Sequence, residues 1–361
     1  MKLLFITTGG TIAGNVRGAQ ADHVSGKTMA EAAKKAVAAM HANWNLDVDI
    51  TTRELVDVDS SDVTPEIWTS VAQCIYDNYD EYQGFVVTHG TNTMGYSASA
   101  LSFAIANSPK PIVLTGSQIP AEQPGSDALI NVENAVRIAS YPSQYATIGG
   151  VVVVFGSHLI TGVRAKKSTE FDLDAFQTFS SGSLGRIGRI LDLNDGNLGR
   201  HQDYLSRDQA LALKASDLVF QPNFAMEGIL SLTEFPGLSD ERLMSALGHW
   251  DKAGMPLKGV VLRSFGAGDV SEHRLGFLKL LKKKKIPVVI TTQAPNGKAT
   301  LTVNKPGEYI EEHSLGIPAH DMSIESITTK LGWLIAQDKD YEQIKSLMVK
   351  DLRGEINVTR E

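Results

Sequence analysis

Four apolar runs of this sequence end in glycines and hydroxyl side chains, a combination that can support nucleophilic chemistry. The four ends read TTGGT at 7–11, THGTNT at 88–93, LTGSQ at 114–118 and LRSFGAGD at 262–269. Glycines let backbone N–H groups come close to a ligand, and threonine hydroxyls act as nucleophiles or hydrogen-bond acceptors. Gly and Thr are ordinary in any single turn, but four turns that share the pattern indicate a site.

A threonine nucleophile needs a base, because its hydroxyl is almost fully protonated at neutral pH. Lys166 and Lys167 follow an apolar run and a Gly-containing loop in SHLITGVRAKKS, residues 157–168. A lysine that is withdrawn from water has a lowered pKa and can take up a proton. We expect one of the two to be this base and the other to be a solvated surface residue.

The sequence lacks the motifs of nucleotide binding, of serine hydrolases and of metal sites. Gly9, Gly10 and Gly14 do not have the dinucleotide-binding spacing, and no Gly-Lys-Ser/Thr follows the first turn. Neither G-x-S-x-G nor H-E-x-x-H occurs. The histidines show no metal-ligand spacing, so each of them, His89 included, is predicted to be structural. Cys74 is the only cysteine, which excludes an internal disulfide and a cysteine-based metal cluster.

The elements that must position these residues are short β-branched runs that alternate with helical patterns. Such alternation predicts a mostly parallel sheet flanked by helices, and the continuous apolar character suits strands covered on both faces. Ligands bind beyond the carboxyl ends of such strands. The four glycine- and hydroxyl-bearing ends, called tips from here on, should therefore converge on one crevice. The predicted strands are LLFIT at 3–7, GFVVTHG at 84–90, PIVLTGS at 111–117, GVVVVFGS at 150–157, KGVVLRSFG at 258–266 and PVVITTQ at 287–293.

Helix start signals lie between these runs. Thr64 and Pro65 have the residue types of an N-cap and a first helical position. Ser239 can cap a second helix, with acidic residues in its first turn, and residues 323–337 place apolar side chains on one face of a third.

Length and composition predict two domains and give no sign of a nucleic-acid or membrane partner. A chain of 361 residues, 42% of them apolar, is too long for one ordinary core. Residues 193–215 are polar and weakly periodic, so we predict an N-terminal α/β domain at 1–192, a linker at 193–215 and a C-terminal domain at 216–361. The chain has a formal charge of −7, and its sequence contains no acidic or basic block that would favour nucleic acid or a membrane surface as a partner. The N-terminal apolar run is too short for a secretory segment, so we expect a cytoplasmic protein.

Five motifs together closely resemble the bacterial-type L-asparaginases, especially the cytoplasmic type I group. They occur in the family's order over nearly the whole chain: TGGTIAG, THGTNTM, TGSQIP, LRSFGAGD and DMSIESITTKL. The resemblance implies a larger, mostly parallel N-terminal α/β domain and a smaller flavodoxin-like C-terminal domain. It also implies a homodimer or homotetramer in which a neighbouring protomer closes each active site.

Matching motif to motif, the resemblance implies a role for each site residue. Thr11 resembles the threonine that forms the acyl-enzyme, Thr91 the second catalytic threonine and Lys167 the lysine that activates Thr91. The implied reaction hydrolyses L-asparagine to L-aspartate and ammonia in two displacements. It implies neither a metal nor an organic cofactor, because oriented N–H donors can stabilise the oxyanion. Ser60 and Ser61 resemble the residues that hold the substrate's α-carboxylate.

The resemblance also implies that Ser117 lies near the substrate amide.

Two positions depart from the family pattern. The family's G-T-D-T aspartate, which holds the α-ammonium, is Asn92 here, and its G-A-G-N asparagine is Asp269. We therefore predict an exchange across the dimer interface, in which Asp269 of the neighbour supplies the missing charge. The loop at 15–26 lacks the tyrosine that often assists the first threonine, and His23 could take that place.

Several alternatives stay open at this stage. Glutamine differs from asparagine by one methylene, which is worth only about 1–3 kcal/mol of discrimination. The loss of the aspartate suggests either an amide that lacks the α-amine or an amino-acid sensor without turnover. An ammonia-supplying component of a tRNA-dependent amidotransferase is a further interpretation, but those chains carry an extra domain before the first motif, whereas the first strand here begins at Leu3.

Overall fold

A computed structural model of the chain shows two compact units, Met1–Pro222 and Asn223–Glu361. The predicted linker at 193–215 falls largely outside the residues that the structure describes, so the predicted domain boundaries stay a proposal. No helix in the described ranges is long and apolar enough to cross a lipid bilayer. The structure describes residues 1–9, 31, 33–35, 37–38, 47–140, 148–180, 182–194, 196–197, 212, 214–302 and 305–357.

The first unit is organised around an eight-stranded sheet with the order β11-β10-β7-β6-β5-β3-β1-β2. Strands β2, β1, β3, β5 and β6 are parallel to one another. The pairs β6–β7, β7–β10 and β10–β11 are each antiparallel. Two further pairs, β4 with β12 and β8 with β9, lie outside this sheet. The strands of the unit are β1 (Lys2–Thr7), β2 (Asp49–Glu54), β3 (Gly84–Thr88), β4 (Ile105–Ala106), β5 (Pro111–Thr115), β6 (Gly150–Phe155), β7 (His158–Thr161), β8 (Ala165–Lys167), β9 (Phe176–Thr178), β10 (Gly185–Ile187), β11 (Leu191–Leu193) and β12 (Val219–Phe220).

The helices of this unit are α1 (Pro65–Asp77), α2 (Met94–Ala104) and α3 (Ala128–Ala139). Every residue of β3 and of β5 is buried, as expected of strands covered on both faces. Val86 of β3 and Val113 of β5 belong to one hydrophobic cluster with Val132 of α3. Helix α1 begins with Pro65 at its first position, as predicted, but the Thr64 hydroxyl makes no capping bond to the backbone.

The second unit contains a four-stranded parallel sheet in the order β13-β14-β15-β16. The Ser239 hydroxyl caps α4 by accepting the N–H of Arg242, so this predicted cap is confirmed. Ser323 caps α7 in the same way, by accepting the N–H of Ser326. The elements are β13 (Ile229–Thr233), α4 (Asp240–Lys252), β14 (Gly259–Ser264), α5 (Leu275–Lys283), β15 (Val288–Thr292), α6 (Lys305–Glu312), β16 (Ile317–Pro318), α7 (Ile324–Ala336) and α8 (Tyr341–Met348).

A buried lysine of α7 anchors the segment that follows α8. Lys330 Nζ donates to the Glu355 carboxylate at 2.6 Å, and both side chains are 0% exposed. It also donates to the carbonyls of Met348 and Lys350, at 3.1 and 2.6 Å. Glu355 in turn accepts bonds from the backbone N–H groups of residues 352–353. The ion pair therefore fixes the backbone of the last described turns of the chain.

The predicted fold class is confirmed as a larger, mostly parallel α/β domain with a smaller C-terminal α/β domain. The fourth hydroxyl-bearing tip belongs to a different sheet from the other three, and the prediction that all four converge on one crevice stays a prediction. TTGGT, THGTNT and LTGSQ follow β1, β3 and β5 of the first sheet, whereas LRSFGAGD spans β14 and the turn after it in the second sheet. Gly and hydroxyl residues mark the carboxyl end of a parallel strand but do not indicate which sheet that strand joins.

Candidate active site

Three neighbouring strands bring the first three tips to one edge of the first sheet. β1, β3 and β5 are adjacent and parallel, and their last residues, Thr7, Thr88 and Thr115, lie opposite one another in register. The segments that continue from them therefore begin side by side. Thr11 and the predicted lid at 15–26, with His23, lie outside the described residues.

Two glycines let these segments pack backbone against backbone. Gly9 has a φ of +87°, and a Cβ there would lie 2.5 Å from the backbone nitrogen of Val58. A Cβ on Gly116 would overlap the carbonyl oxygen of His89. Both positions therefore require glycine for steric reasons, which explains part of the glycine content of the tips.

Lys167 contacts the hydroxyl of Thr91. Lys167 Nζ lies 2.9 Å from Thr91 Oγ1 and 3.1 Å from Asn92 Oδ1. Thr91 is 4% exposed, and Lys167 at the end of β8 is partly buried. Burial lowers the pKa of Lys167, against a weaker opposing effect of the Glu170 carboxylate. Lys166 has a different environment, with its Nζ 5.2 Å from the centre of the Phe179 ring.

A short turn containing Ser60 and Ser61 lies against the tip that follows β3. The Ser60 hydroxyl accepts the N–H of Asn92 at 3.2 Å, and the Ser60 carbonyl accepts the Thr93 hydroxyl at 2.6 Å. Asn92 Nδ2 donates to Ser61 Oγ at 3.4 Å. The Asp59 carboxylate closes the turn by accepting the Ser61 N–H at 2.8 Å. The structure thus brings five of the predicted site residues together: Ser60, Ser61, Thr91, Asn92 and Lys167.

Three buried hydroxyls at the same sheet edge have no hydrogen-bond partner among the described residues. They are Oγ1 of Thr7, Oγ1 of Thr88 and Oγ of Ser117. Leaving a buried hydroxyl unpaired costs about 1–3 kcal/mol, so a group of them is an unusual arrangement for a structural core. Ser117, which was predicted to lie near the substrate amide, is 0% exposed. These hydroxyls can donate to or accept from a polar ligand.

A buried chain of hydrogen bonds supports the tip after β3. His89 Nδ1 lies 2.7 Å from the Gly90 carbonyl oxygen, which can only accept, so Nδ1 carries the proton. Trp68 Nε1 donates to Ser97 Oγ at 2.9 Å, and the Ser97 hydroxyl is 2.8 Å from His89 Nε2, to which it donates. Burial lowers the pKa of His89, in agreement with a neutral ring. His89 therefore orients the peptide that precedes Thr91, a structural role as predicted.

Asp127 fixes the tip after β5. Its carboxylate accepts the N–H groups of Gln118 and Ile119, each at 3.0 Å, and the side-chain amide of Asn131 at 2.9 Å. The loop carrying Ser117 is thereby tied to the start of α3. Asp127 was not among the sequence-predicted site residues. It is the N-cap residue of α3, but its carboxylate makes no capping bond to that helix and is used for the loop instead.

The remaining predicted residue, Asp269, belongs to the second unit. Its backbone N–H and C=O both bond to the backbone of Phe265, at 2.8 and 3.0 Å, which closes the turn after β14. Its side chain is partly buried. The predicted role of Asp269 toward a second protomer stays a prediction.

Family models match both parts of the chain. Residues 2–197 match the model "Asparaginase, N-terminal", and residues 231–348 match the "Glutaminase/Asparaginase C-terminal domain". The two matches cover well over half of the sequence.

Individual proteins match over most of the chain. An L-asparaginase from Thermococcus kodakarensis is 32% identical to this chain over 360 residues, which is 99% of each sequence. The solved structure of the thermostable L-asparaginase from the same organism superposes on this chain with a TM-score of 0.82 at 30% identity. That superposition covers 99% of this chain and 100% of the other. L-asparaginase 1 from Escherichia coli K12 is 35% identical over 85% of each chain. A glutamyl-tRNA(Gln) amidotransferase component from Aeropyrum pernix is 31% identical over 99% of this chain and 79% of its own.

Proposed function

Since the chain belongs to the asparaginase family, we propose that it hydrolyses the side-chain amide of L-asparagine to give L-aspartate and ammonia. The observation that carries the proposal is the 2.9 Å contact between Lys167 Nζ and Thr91 Oγ1. It joins a lysine whose pKa is lowered by burial to a hydroxyl at a sheet edge. That edge also holds three buried hydroxyls without a hydrogen-bond partner in the described part of the chain. Such a pair can move a proton during an acyl transfer.

The proposed reaction proceeds through an ester of Thr11. The Thr11 hydroxyl oxygen attacks the amide carbon, the C–N bond breaks, and ammonia leaves with the hydroxyl proton. Water then attacks the ester carbon, the C–O bond to Thr11 breaks, and the threonine oxygen regains a proton. We assign Thr91, with Lys167 as its base, to accept the proton from the attacking group and to return it to the leaving group.

The remaining polar groups supply contacts to the substrate. We assign the hydroxyls of Ser60 and Ser61 to the α-carboxylate, because their turn lies against Asn92 beside the Thr91–Lys167 pair. The buried Ser117 hydroxyl is assigned to the amide. The protein is proposed to act in the cytoplasm as a homodimer or homotetramer.

The substrate ammonium needs a counter-charge, and we retain the proposal that Asp269 of a neighbouring protomer supplies it in place of Asn92. The single changes Asn92→Asp and Asp269→Asn and the double change form a double-mutant cycle. We expect coupling: Asp269→Asn should lower kcat/KM for asparagine strongly in the wild-type background and only weakly when residue 92 is Asp. Each variant is assayed at its own pH optimum. Additive effects on kcat/KM would contradict the exchange.

A second candidate function is favoured by the contacts of Asn92. Its amide oxygen accepts from Lys167 and its amide nitrogen is directed at Ser61, so neither end offers a negative charge to an ammonium group. An amide that lacks the α-amine, such as succinamic acid, would not need that charge. Rates of ammonia release from asparagine, glutamine and succinamic acid separate these substrates, and a strong preference for asparagine would exclude the second candidate.

Ammonia release tests the function directly. We expect the wild-type protein to release ammonia from asparagine and the variants Thr11→Val and Thr91→Val to lose this activity. Thr91→Ser, which keeps the hydroxyl, is the matched control and should retain measurable turnover. Tight binding of asparagine without ammonia release would instead identify an amino-acid sensor.

A further inference from the structure

A cavity in the second unit is lined mostly by basic and polar side chains. Its volume is about 590 Å³, which is within the usual range for small-molecule sites. One wall is α5, which contributes Lys279, Lys282 and Lys283, and the other is the end of α6, followed by His313 and Ser314. The three lysines and His313 are exposed, so a solute can reach the cavity. None of the described active-site residues lines it.

The three lysines share one face of α5. Residues three and four apart on a helix are neighbours, with Cβ atoms about 5–6 Å apart, so Lys279 lies beside Lys282 and Lys283. None of the three forms an ion pair in the described part of the chain, whereas Lys284, which does not line the cavity, pairs with Asp251 at 2.7 Å. Like charges at this spacing repel one another, and an anion in the cavity would relieve the repulsion.

The helix dipole explains only part of this cluster. Cations in the last turn of α5 are favoured by the negative end of the dipole, which accounts for Lys282 and Lys283. Lys279 lies one turn earlier, where the effect of the dipole has fallen off. Lys282 also joins the two walls, because its Nζ donates to the His313 carbonyl at 2.7 Å. This bond fixes the spacing of the walls and leaves two N–H bonds of the ammonium group for a ligand.

The α6 wall adds an imidazole, a hydroxyl and a carboxylate. His313 Nδ1 lies 3.0 Å from the Tyr309 carbonyl oxygen, which can only accept, so Nδ1 carries the proton and Nε2 remains for a ligand. The imidazole stacks on the Tyr309 ring, with the ring centroids 3.9 Å apart. The Ser314 hydroxyl makes no hydrogen bond to another described residue. Glu312 supplies the one carboxylate among the described lining residues, so the lysines leave the cavity with an excess of positive charge.

We propose that this cavity binds a small phosphate ester, such as a nucleotide, with its phosphate oxygens on Lys279, Lys282 and Lys283. A phosphate group offers three strong acceptor oxygens. Lysine binds phosphate as a point charge, whereas planar carboxylates are more often held by arginine, and the described lining contains lysine and no arginine. The Ser314 hydroxyl donates to the same phosphate, and the His313 ring contacts the organic part. The proposal does not depend on the reaction at the candidate active site.

Isothermal titration calorimetry of the full-length protein in magnesium-free buffer tests the proposal. The titrants are ATP, inorganic pyrophosphate and adenosine. We expect ATP to bind more tightly than pyrophosphate, because the organic part adds a contact, and we expect no binding of adenosine, which lacks phosphate. Absence of ATP binding, pyrophosphate binding tighter than that of ATP, or adenosine binding as tight as that of ATP would each overturn the proposal.

Two double variants that lose the same charge locate the site. Lys279→Gln/Lys283→Gln removes two lining charges, and we expect the affinity for ATP to fall at least about tenfold, because charge-assisted contacts are lost. Lys284→Gln/Lys285→Gln removes two charges from the same end of α5, but neither residue lines the cavity, so we expect nearly unchanged affinity. Equal losses in the two double variants would show a general attraction of polyanions to this end of the helix and would overturn the proposal.

Two single variants probe the α6 wall. Glu312→Gln removes a carboxylate that repels an anion, so we expect the affinity for ATP to rise. Ser314→Gly removes the hydroxyl contact and should lower the affinity without loss of folding, because the φ of +48° at Ser314 suits glycine. Thermal unfolding without ATP shows that each variant is folded. An affinity for ATP that is unchanged in both single variants and in Lys279→Gln/Lys283→Gln would place ATP outside this cavity and overturn the proposal.

Discussion

Replacing Lys167 by methionine is expected to lower kcat/KM for asparagine about 10²- to 10⁴-fold, the usual contribution of a positioned proton-transfer group. Methionine keeps an unbranched apolar stem of similar length but offers neither a proton acceptor nor a donor to Thr91 and Asn92. Initial rates of ammonia release give kcat and KM. The loss should appear mainly in kcat, because the assigned carboxylate contacts of Ser60 and Ser61 are unchanged.

The neighbouring lysine provides the matched control. Lys166→Met removes the same charge one residue earlier in β8, where the ammonium lies over the Phe179 ring. We expect this variant to retain nearly the wild-type rate. Equal losses in the two variants would indicate that general charge or the stability of β8 matters, and the assignment of Lys167 as the base would be abandoned.

Replacing Lys330 by methionine is expected to destabilise the protein by about 3–5 kcal/mol, because the change leaves a buried carboxylate without its cation. Glu355 and Lys330 are both 0% exposed and lie 2.6 Å apart. Burial alone would raise the pKa of Glu355, but the Lys330 ammonium and the hydrogen bonds to Glu355 outweigh burial and hold this pKa below its usual value. Urea unfolding at neutral pH measures the loss.

The sign of the pH dependence follows from that lowered pKa. The ionised Glu355 contributes its full stabilisation above its unfolded pKa of about 4.3, and this is lost as the pH falls through the lower folded value. The gap between wild type and Lys330→Met should therefore be widest near neutral pH and narrow in acid. Lys284→Met is the control, because its pair with Asp251 is 38% and 30% exposed and is worth only about 0–1 kcal/mol. A similar loss in both variants would contradict the argument from burial.

The sequence predicts the central strands well and the edge of the sheet poorly. The strands at the centre are buried on both faces, so their continuous β-branched runs are distinctive. β2 reads DITTRE and is mostly exposed, so no apolar pattern marks it. Helix α2, MGYSASALSFA, is buried at every residue but Tyr96, so it lacks the single apolar stripe by which surface helices are recognised.

The candidate site shows the same limit. Residue types alone place Thr91 at a strand end and a lysine pair after another strand, but neighbouring residues of a strand point to opposite faces. Periodicity therefore does not tell which of Lys166 and Lys167 faces Thr91. The Trp68–Ser97–His89 chain is also invisible in sequence, because its members lie on three separate segments and meet only in the folded sheet.

The position of Glu355 also bears on when the smaller unit can fold during synthesis. Lys330 is translated 25 residues before the carboxylate that neutralises it. Until residue 355 has left the ribosome, burying α7 would place an ammonium ion in an apolar interior without a counter-ion, which is strongly unfavourable. The nascent second unit should therefore stay open while the larger unit, complete in sequence by Pro222, already folds.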